Sequence, residues 1–175
     1  MTALPERNKT YLTGRSGLLL ALALATIAPV VAWAAHAWLG LYLEPGRWRG
    51  WTNNAASGLG MVWFWAWVLA LAPALEELAM RPLLQTGLQH QLELIHNDRL
   101  CGSRDWHGHF ANAGTALVFA SLHMPVNGAL ALWWLIPAAA IGEVWRRSAR
   151  WSLCALLHAW FNACLAAVTL VGSLQ

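Results

Sequence analysis

Three groups of residues in this sequence have the types and spacing for hydrolytic chemistry. Glu76 and Glu77 stand side by side in "LAPALEELAMRPLL" (Leu71 to Leu84), with Arg81 four residues after the second. "FASLH" sets His123 four residues after Phe119, and "HAWFN" sets Asn162 four residues after His158. On a helix, a spacing of four puts both members of a pair on one face. A glutamate in a low-dielectric pocket can act as a general base on water. Histidine can position that water or pass on its proton, and histidine and asparagine can donate hydrogen bonds to a developing oxyanion. Together the set can hydrolyse an amide bond.

Each group has a plainer reading. Glutamate and arginine are ordinary at a helix end, and a lone histidine on an apolar face is most often a satisfied structural residue. The surroundings weigh against that reading here, because the flanking sequence is apolar enough to lie in a membrane. A charge at the centre of a bilayer opposes insertion by about 2.5–3.5 kcal/mol. Glu77 and Arg81 can offset this as an i, i+4 ion pair in the better order. Glu76 lies about 100° around the helix and has no partner within the segment. Pro73 and Pro82 cannot donate to Leu69 and Leu78, and carbonyls freed at such depth need protein or water partners. Polar groups of separate spans face inward and seek one another, so the three groups are expected to converge on one hydrated pocket. Nucleophile arrangements are weaker. Ser121 is two residues before His123 and Cys154 four before His158, and neither has the geometry of the glutamate set.

The elements that must position these residues follow from composition. Of 175 residues, 58% are hydrophobic and 11% charged, less than half the roughly 25% usual in soluble domains. The expected fold is all-α, a multi-pass transmembrane helical bundle of about five spans. The spans fall at roughly 17–43, from 57 to beyond Arg81, 110–124, 129–145 and 151–172. Residues 1–56 form a first span and a polar loop with Arg47 and Arg49; residues 57–175 form the core that holds the three groups. "AWAAHA" is similar to a signal-peptidase site, but the apolar run is too long for a simple signal, so an uncleaved first span is expected. The stretch from Gln89 to His109 reads as a polar loop, and "MPVNG" as a break. Cys101, His107 and His109 share that loop without metal-ligand spacing and read as solvated. Tryptophans flanking the spans fit interfacial belts, while Trp63, Trp65 and Trp67 are expected to pack between helices.

The net charge of +3 is not gathered into a nucleic-acid patch. The basic residues lie between apolar runs, as topology determinants do. With five spans, Arg7, Lys9, Arg15, Arg99, Arg104, Arg146, Arg147 and Arg150 fall on one side, and only Arg47 and Arg49 on the other. The positive-inside rule then puts the N-terminus in the cytoplasm.

Glu76-Glu77-x-x-x-Arg81, Phe119-x-x-x-His123 and His158-x-x-x-Asn162, in this order on successive apolar segments, resemble the three motifs of the CPBP family. That family includes the eukaryotic CAAX prenyl endopeptidase, bacterial Abi proteins and bacteriocin-immunity proteins. The resemblance covers about Ala74 to Ala166 and extends to small bacterial stand-alone members, which implies a bacterial inner membrane. It implies an intramembrane endopeptidase acting on a membrane or lipidated protein. Glu76 would activate water, His123 would orient it, and His158 and Asn162 would stabilise the oxyanion. Glu77 and Arg81 would hold the geometry. No cofactor is implied by the glutamate-water mechanism; Glu76, His123 and His158 could instead supply three zinc ligands, although there is no HExxH. One departure is Pro82, where the family commonly has glycine; it is expected to push Arg81 toward extended backbone. Alternatives are a non-catalytic adaptor or immunity-type protein on the same fold, and a small transporter, for which the chain lacks an inverted repeat.

Overall fold

The structure is a computed structural model that describes residues 14–40, 58–95 and 105–172. The arginines expected in the 44–56 loop, and Arg7, Lys9, Arg99, Cys101 and Arg104, lie outside the described residues. Five helical rods make up what is described. Helix α1 is Gly14–Leu39. Helix α2 runs unbroken through residues 58–95 and changes register twice, with π-helical turns at Trp67–Leu71 and Ala79–Gln85. Helix α3 is Asp105–Asn127. A 3₁₀ stretch, Gly128–Trp134, leads into helix α4, Leu135–Ser148. Helix α5 is Trp151–Gly172.

By length and composition, four segments can cross a membrane: Arg15–Leu39, Val62–Ile95, Gly128–Ser148 and Trp151–Val171. Large apolar side chains on these helices face outward, among them Leu19, Val30, Trp38, Val62, Leu156 and Val171, as lipid contact requires. Trp63 joins them at 68% exposed, so it does not pack between helices as the sequence led us to expect. Helix α3 carries His107, His109, Asn112, Thr115, His123 and Asn127 and is too polar to qualify. Its 23 residues nonetheless span about 35 Å. It lies antiparallel along α4, with Gly108 against Arg146, Asn112 bonded to Ala139, and Phe119 packed with Ala138.

The stretch expected to be a polar loop is therefore shorter than the sequence suggested. Residues 89–95 complete α2, and His107 and His109 begin α3 rather than sharing a loop. His107 is buried, whereas His109 is exposed. The chain reverses after Pro125, at Gly128, whose φ of +57° is open to glycine at little cost. At the other end of α4, Ala149 adopts a left-handed cap and donates its N–H to the Trp145 carbonyl at 2.7 Å.

The helices alternate in direction. Gly17 at the start of α1 lies against Ser148 at the end of α4. Ala21 packs with Ile141, Val144, Cys154 and Leu157, and further along α1 Ala28, Ala32 and Ala35 pack with Cys164 and Leu165 of α5. Small residues on this face let the backbones approach closely. Pro29 sits inside α1 and has no N–H for the Ala25 carbonyl one turn back. Trp160 of α5 fills that gap, donating its indole Nε1–H to Ala25 O at 2.9 Å.

Candidate active site

Arg81 is the anchor of the polar interior. It is 0% exposed, and its guanidinium donates in three directions: Nε to Glu77 Oε2 at 2.6 Å, Nη1 to Gln85 Oε1 at 3.0 Å, and Nη2 to the Ala138 carbonyl at 3.1 Å. Glu77, Arg81 and Gln85 recur every four residues, so they stack on the buried face of α2. Gln85 continues the chain of bonds, giving its Nε2–H to the Gly142 carbonyl at 3.2 Å. Asn112 of α3 donates to the neighbouring Ala139 carbonyl at 2.9 Å. Glycine is required at 142, because a Cβ there would fall 1.8 Å from Asn112 Oδ1 and 2.8 Å from Arg81 Nη1. Pro82 does not extend the backbone at Arg81. Arg81 stays helical because the wider π register takes up the ring, and the Thr86 N–H reaches back five residues to the Arg81 carbonyl.

The two adjacent glutamates live in different surroundings. Glu77 is 1% exposed and held from both sides, by Arg81 and by His158 Nδ1 at 2.9 Å. A carboxylate accepts, so His158 donates from Nδ1, and its other nitrogen faces away from Glu77. That nitrogen, Nε2, is 3.7 Å from Glu76 Oε2. The Glu76 side chain is 35% exposed and looks out beside the buried cluster. The partner that Glu76 lacks within its own segment thus comes from α5.

His123 lies within electrostatic reach of Glu76. Its Nδ1 bonds the Phe119 carbonyl at 2.9 Å, which requires the proton on Nδ1 and leaves the Nε2 lone pair free. Its ring stacks on Phe119 at 4.4 Å and meets Trp134 at 5.9 Å; Phe119 in turn touches the His158 ring edge-on at 5.7 Å. Phe119 therefore spaces the two imidazoles. Asn162 joins the cluster differently from expectation. Its Nδ2 donates to the Val68 carbonyl of α2 at 3.0 Å, so one of its two N–H groups is already used.

A small cavity lies between α2, α3, α4 and α5, lined by Glu77, Phe119, Trp134, His158, Phe161 and Asn162. A larger apolar groove runs along α1, α4 and α5 and shares Trp134, Pro137 and Phe161 with it. Among the described residues, no three or more His, Cys, Asp and Glu side chains are grouped to hold a metal ion. Cys154 is buried and points to the Ile141 carbonyl, away from a nucleophile's role toward His158. Ser121 is exposed and bonds the Leu117 carbonyl.

Gln85, Asn112, Gly142 and Trp134 were not singled out from the sequence. Gln85 carried a signal, the continued spacing of four after Glu77 and Arg81. Asn112 carried a fainter one, since it lies three helical turns before His123 on the same face.

The family model "Type II CAAX prenyl endopeptidase Rce1-like" matches residues 58–164, more than half of the chain. The match begins with α2 and ends in α5, so it takes in every residue of the cluster and leaves α1 outside. No curated protein and no solved structure matches the chain.

Proposed function

The chain belongs to the type II CAAX prenyl endopeptidase Rce1-like family, and from that premise we propose that it cleaves a membrane-associated protein by glutamate-activated water. The observation that carries this reading is the division of labour between Glu76 and Glu77. Glu77 is spent on Arg81 and His158, whereas Glu76 is half-open and faces the free edge of His158 at 3.7 Å. Glu76 takes a proton from a water molecule, and that water adds to the scissile carbonyl. His123 offers its Nε2 lone pair to hold the same water. His158, oriented by Glu77 through Nδ1–H, stabilises the negative charge on the tetrahedral intermediate in its doubly protonated form, by donating Nε2–H, and Asn162 contributes its remaining N–H from the cavity wall. The proton held by Glu76 then passes to the leaving amine as the C–N bond breaks. No cofactor enters this scheme.

The substrate we propose is a prenylated protein or another lipid-anchored chain, as the family description suggests. The apolar groove supports this, because its walls suit a hydrocarbon chain and it meets the small cavity at Trp134, Pro137 and Phe161. The location we propose is a bacterial inner membrane with the N-terminus in the cytoplasm; the bundle's charged end supports the orientation. Arg15 and the run Arg146, Arg147 and Arg150 stand at the same end, where Gly17 meets Ser148.

Comparative membrane proteomics tests the reading in cells. A strain carrying Glu76→Gln should accumulate one uncleaved membrane-associated protein that wild type processes, at equal enzyme levels. Indistinguishable profiles would favour a binding role for the same fold.

A further inference from the structure

The carbonyl that Asn162 binds has a specific origin. In the first π turn of α2, Ala72 donates its N–H five residues back, to the Trp67 carbonyl. The next step of that register would bring the N–H of residue 73 to the Val68 carbonyl. Residue 73 is proline and has none. Asn162 supplies the missing donor, Nδ2 to Val68 O at 3.0 Å, from a helix 94 residues away in the chain. Two residues earlier on α5, Trp160 does the same for α1, covering the Ala25 carbonyl that Pro29 leaves without a partner. At membrane depth such a carbonyl needs a partner, and here a side chain of α5 provides it.

We infer that Asn162 is a positioning residue: it caps the carbonyl left open by Pro73 and so fixes the π turn that aims Glu76. This rests on the hydrolytic reading of the site and adds to it a duty for Asn162 that precedes any contact with substrate. Pro73 is three residues before Glu76, and the register of the turn before it sets the angle at which Glu76 leaves the helix. Without the amide, the turn can relax to the α register, which would turn Glu76 away from His158 while Glu77 stays pinned by Arg81. Trp160 and Pro29 form the matching pair away from the cluster and serve as an internal control.

The test is a double-mutant cycle on the full chain, purified in detergent. Asn162→Ala should lower the melting temperature and cut cleavage of a farnesylated CAAX peptide about tenfold, the size of one lost buried hydrogen bond. Pro73→Ala restores an N–H, which reaches Val68 O in the π register and Leu69 O in the α register, where Ala72 serves Val68 O, so neither carbonyl is left open. In that background Asn162→Ala should therefore cost much less in melting temperature, and its loss of cleavage should shrink to the part owed to the oxyanion contact alone. Trp160→Phe and Pro29→Ala should couple in melting alone. Equal losses from Asn162→Ala in both backgrounds, in either readout, would overturn the proposal. If Asn162→Ala does not accumulate, restoration of its membrane level by Pro73→Ala reads the same coupling, and no restoration counts against it. Glu76→Gln separates the two ideas. If it cleaves like wild type, the hydrolytic reading fails, while the melting cycle still judges the Asn162 contact.

Discussion

Glu77 and His158 are 81 residues apart in the chain and 2.9 Å apart in the fold, Oε1 to Nδ1. This contact joins α2 to α5 at the level where His158 Nε2 also faces Glu76. It makes Glu77 more than a counter-ion for Arg81: the same carboxylate that balances a buried guanidinium also fixes which edge of His158 faces Glu76. A carboxylate that orients an imidazole is a recurrent way to set the tautomer and direction of a working histidine.

Glu77→Gln is accordingly expected to hurt activity more than its burial alone would suggest. The amide is nearly the same shape but can present an N–H to His158, where an acceptor is required. Cleavage should fall by about 10²-fold, the scale of a disabled acid–base partner, and kcat should carry the loss. A drop confined to KM would contradict this.

Arg81→Met should destabilise the chain by about 3–5 kcal/mol, because it strands Glu77 as an uncompensated buried charge. Arg81→Lys should recover little, since one ammonium cannot reach Glu77, Gln85 and the Ala138 carbonyl in the planar fork that Arg81 uses. Thermal melting in detergent measures both. The double variant Glu77→Gln with Arg81→Met should be less damaged in stability than Arg81→Met alone.

Gly142→Ala places a methyl group 1.8 Å from Asn112 Oδ1. Asn112 cannot simply swing aside, because its amide is tied to the Ala139 carbonyl. Overpacking of this kind costs about 1–3 kcal/mol. Adding Asn112→Ala should recover part of the melting temperature by removing the obstructing atom. Independent, additive losses would mean that the α3–α4 approach at this point is looser than the structure shows.

The side-chain half of this cluster was legible in the sequence because helical spacing is so regular. Glu77 with Arg81, and His158 with Asn162, could be placed on common faces by counting, and the cost of charge in a membrane required those faces to look inward. Backbone groups were not legible. That Asn162 would spend an N–H on the Val68 carbonyl depends on a π register, and the sequence marks only the proline that leaves the carbonyl open. The length of α3 was missed for a related reason. His107 and His109 look like loop residues by polarity, yet α3 packs along α4, and His107, Asn112 and Thr115 are buried while His109 stays exposed near the helix start. Pro82 misled in the opposite sense: its usual effect on the residue before it is absorbed by the second π turn.

The most direct test of the central claim is the rate at which purified chain in lipid vesicles cleaves a farnesylated CAAX peptide or the partner found by proteomics, compared between wild type and Glu76→Gln. The exchange removes a proton acceptor and leaves size, Glu77 and Arg81 unchanged. The account predicts cleavage by wild type and a loss of at least about 10²-fold in the variant, with an unaltered melting temperature. Cleavage at the wild-type rate by Glu76→Gln would contradict it.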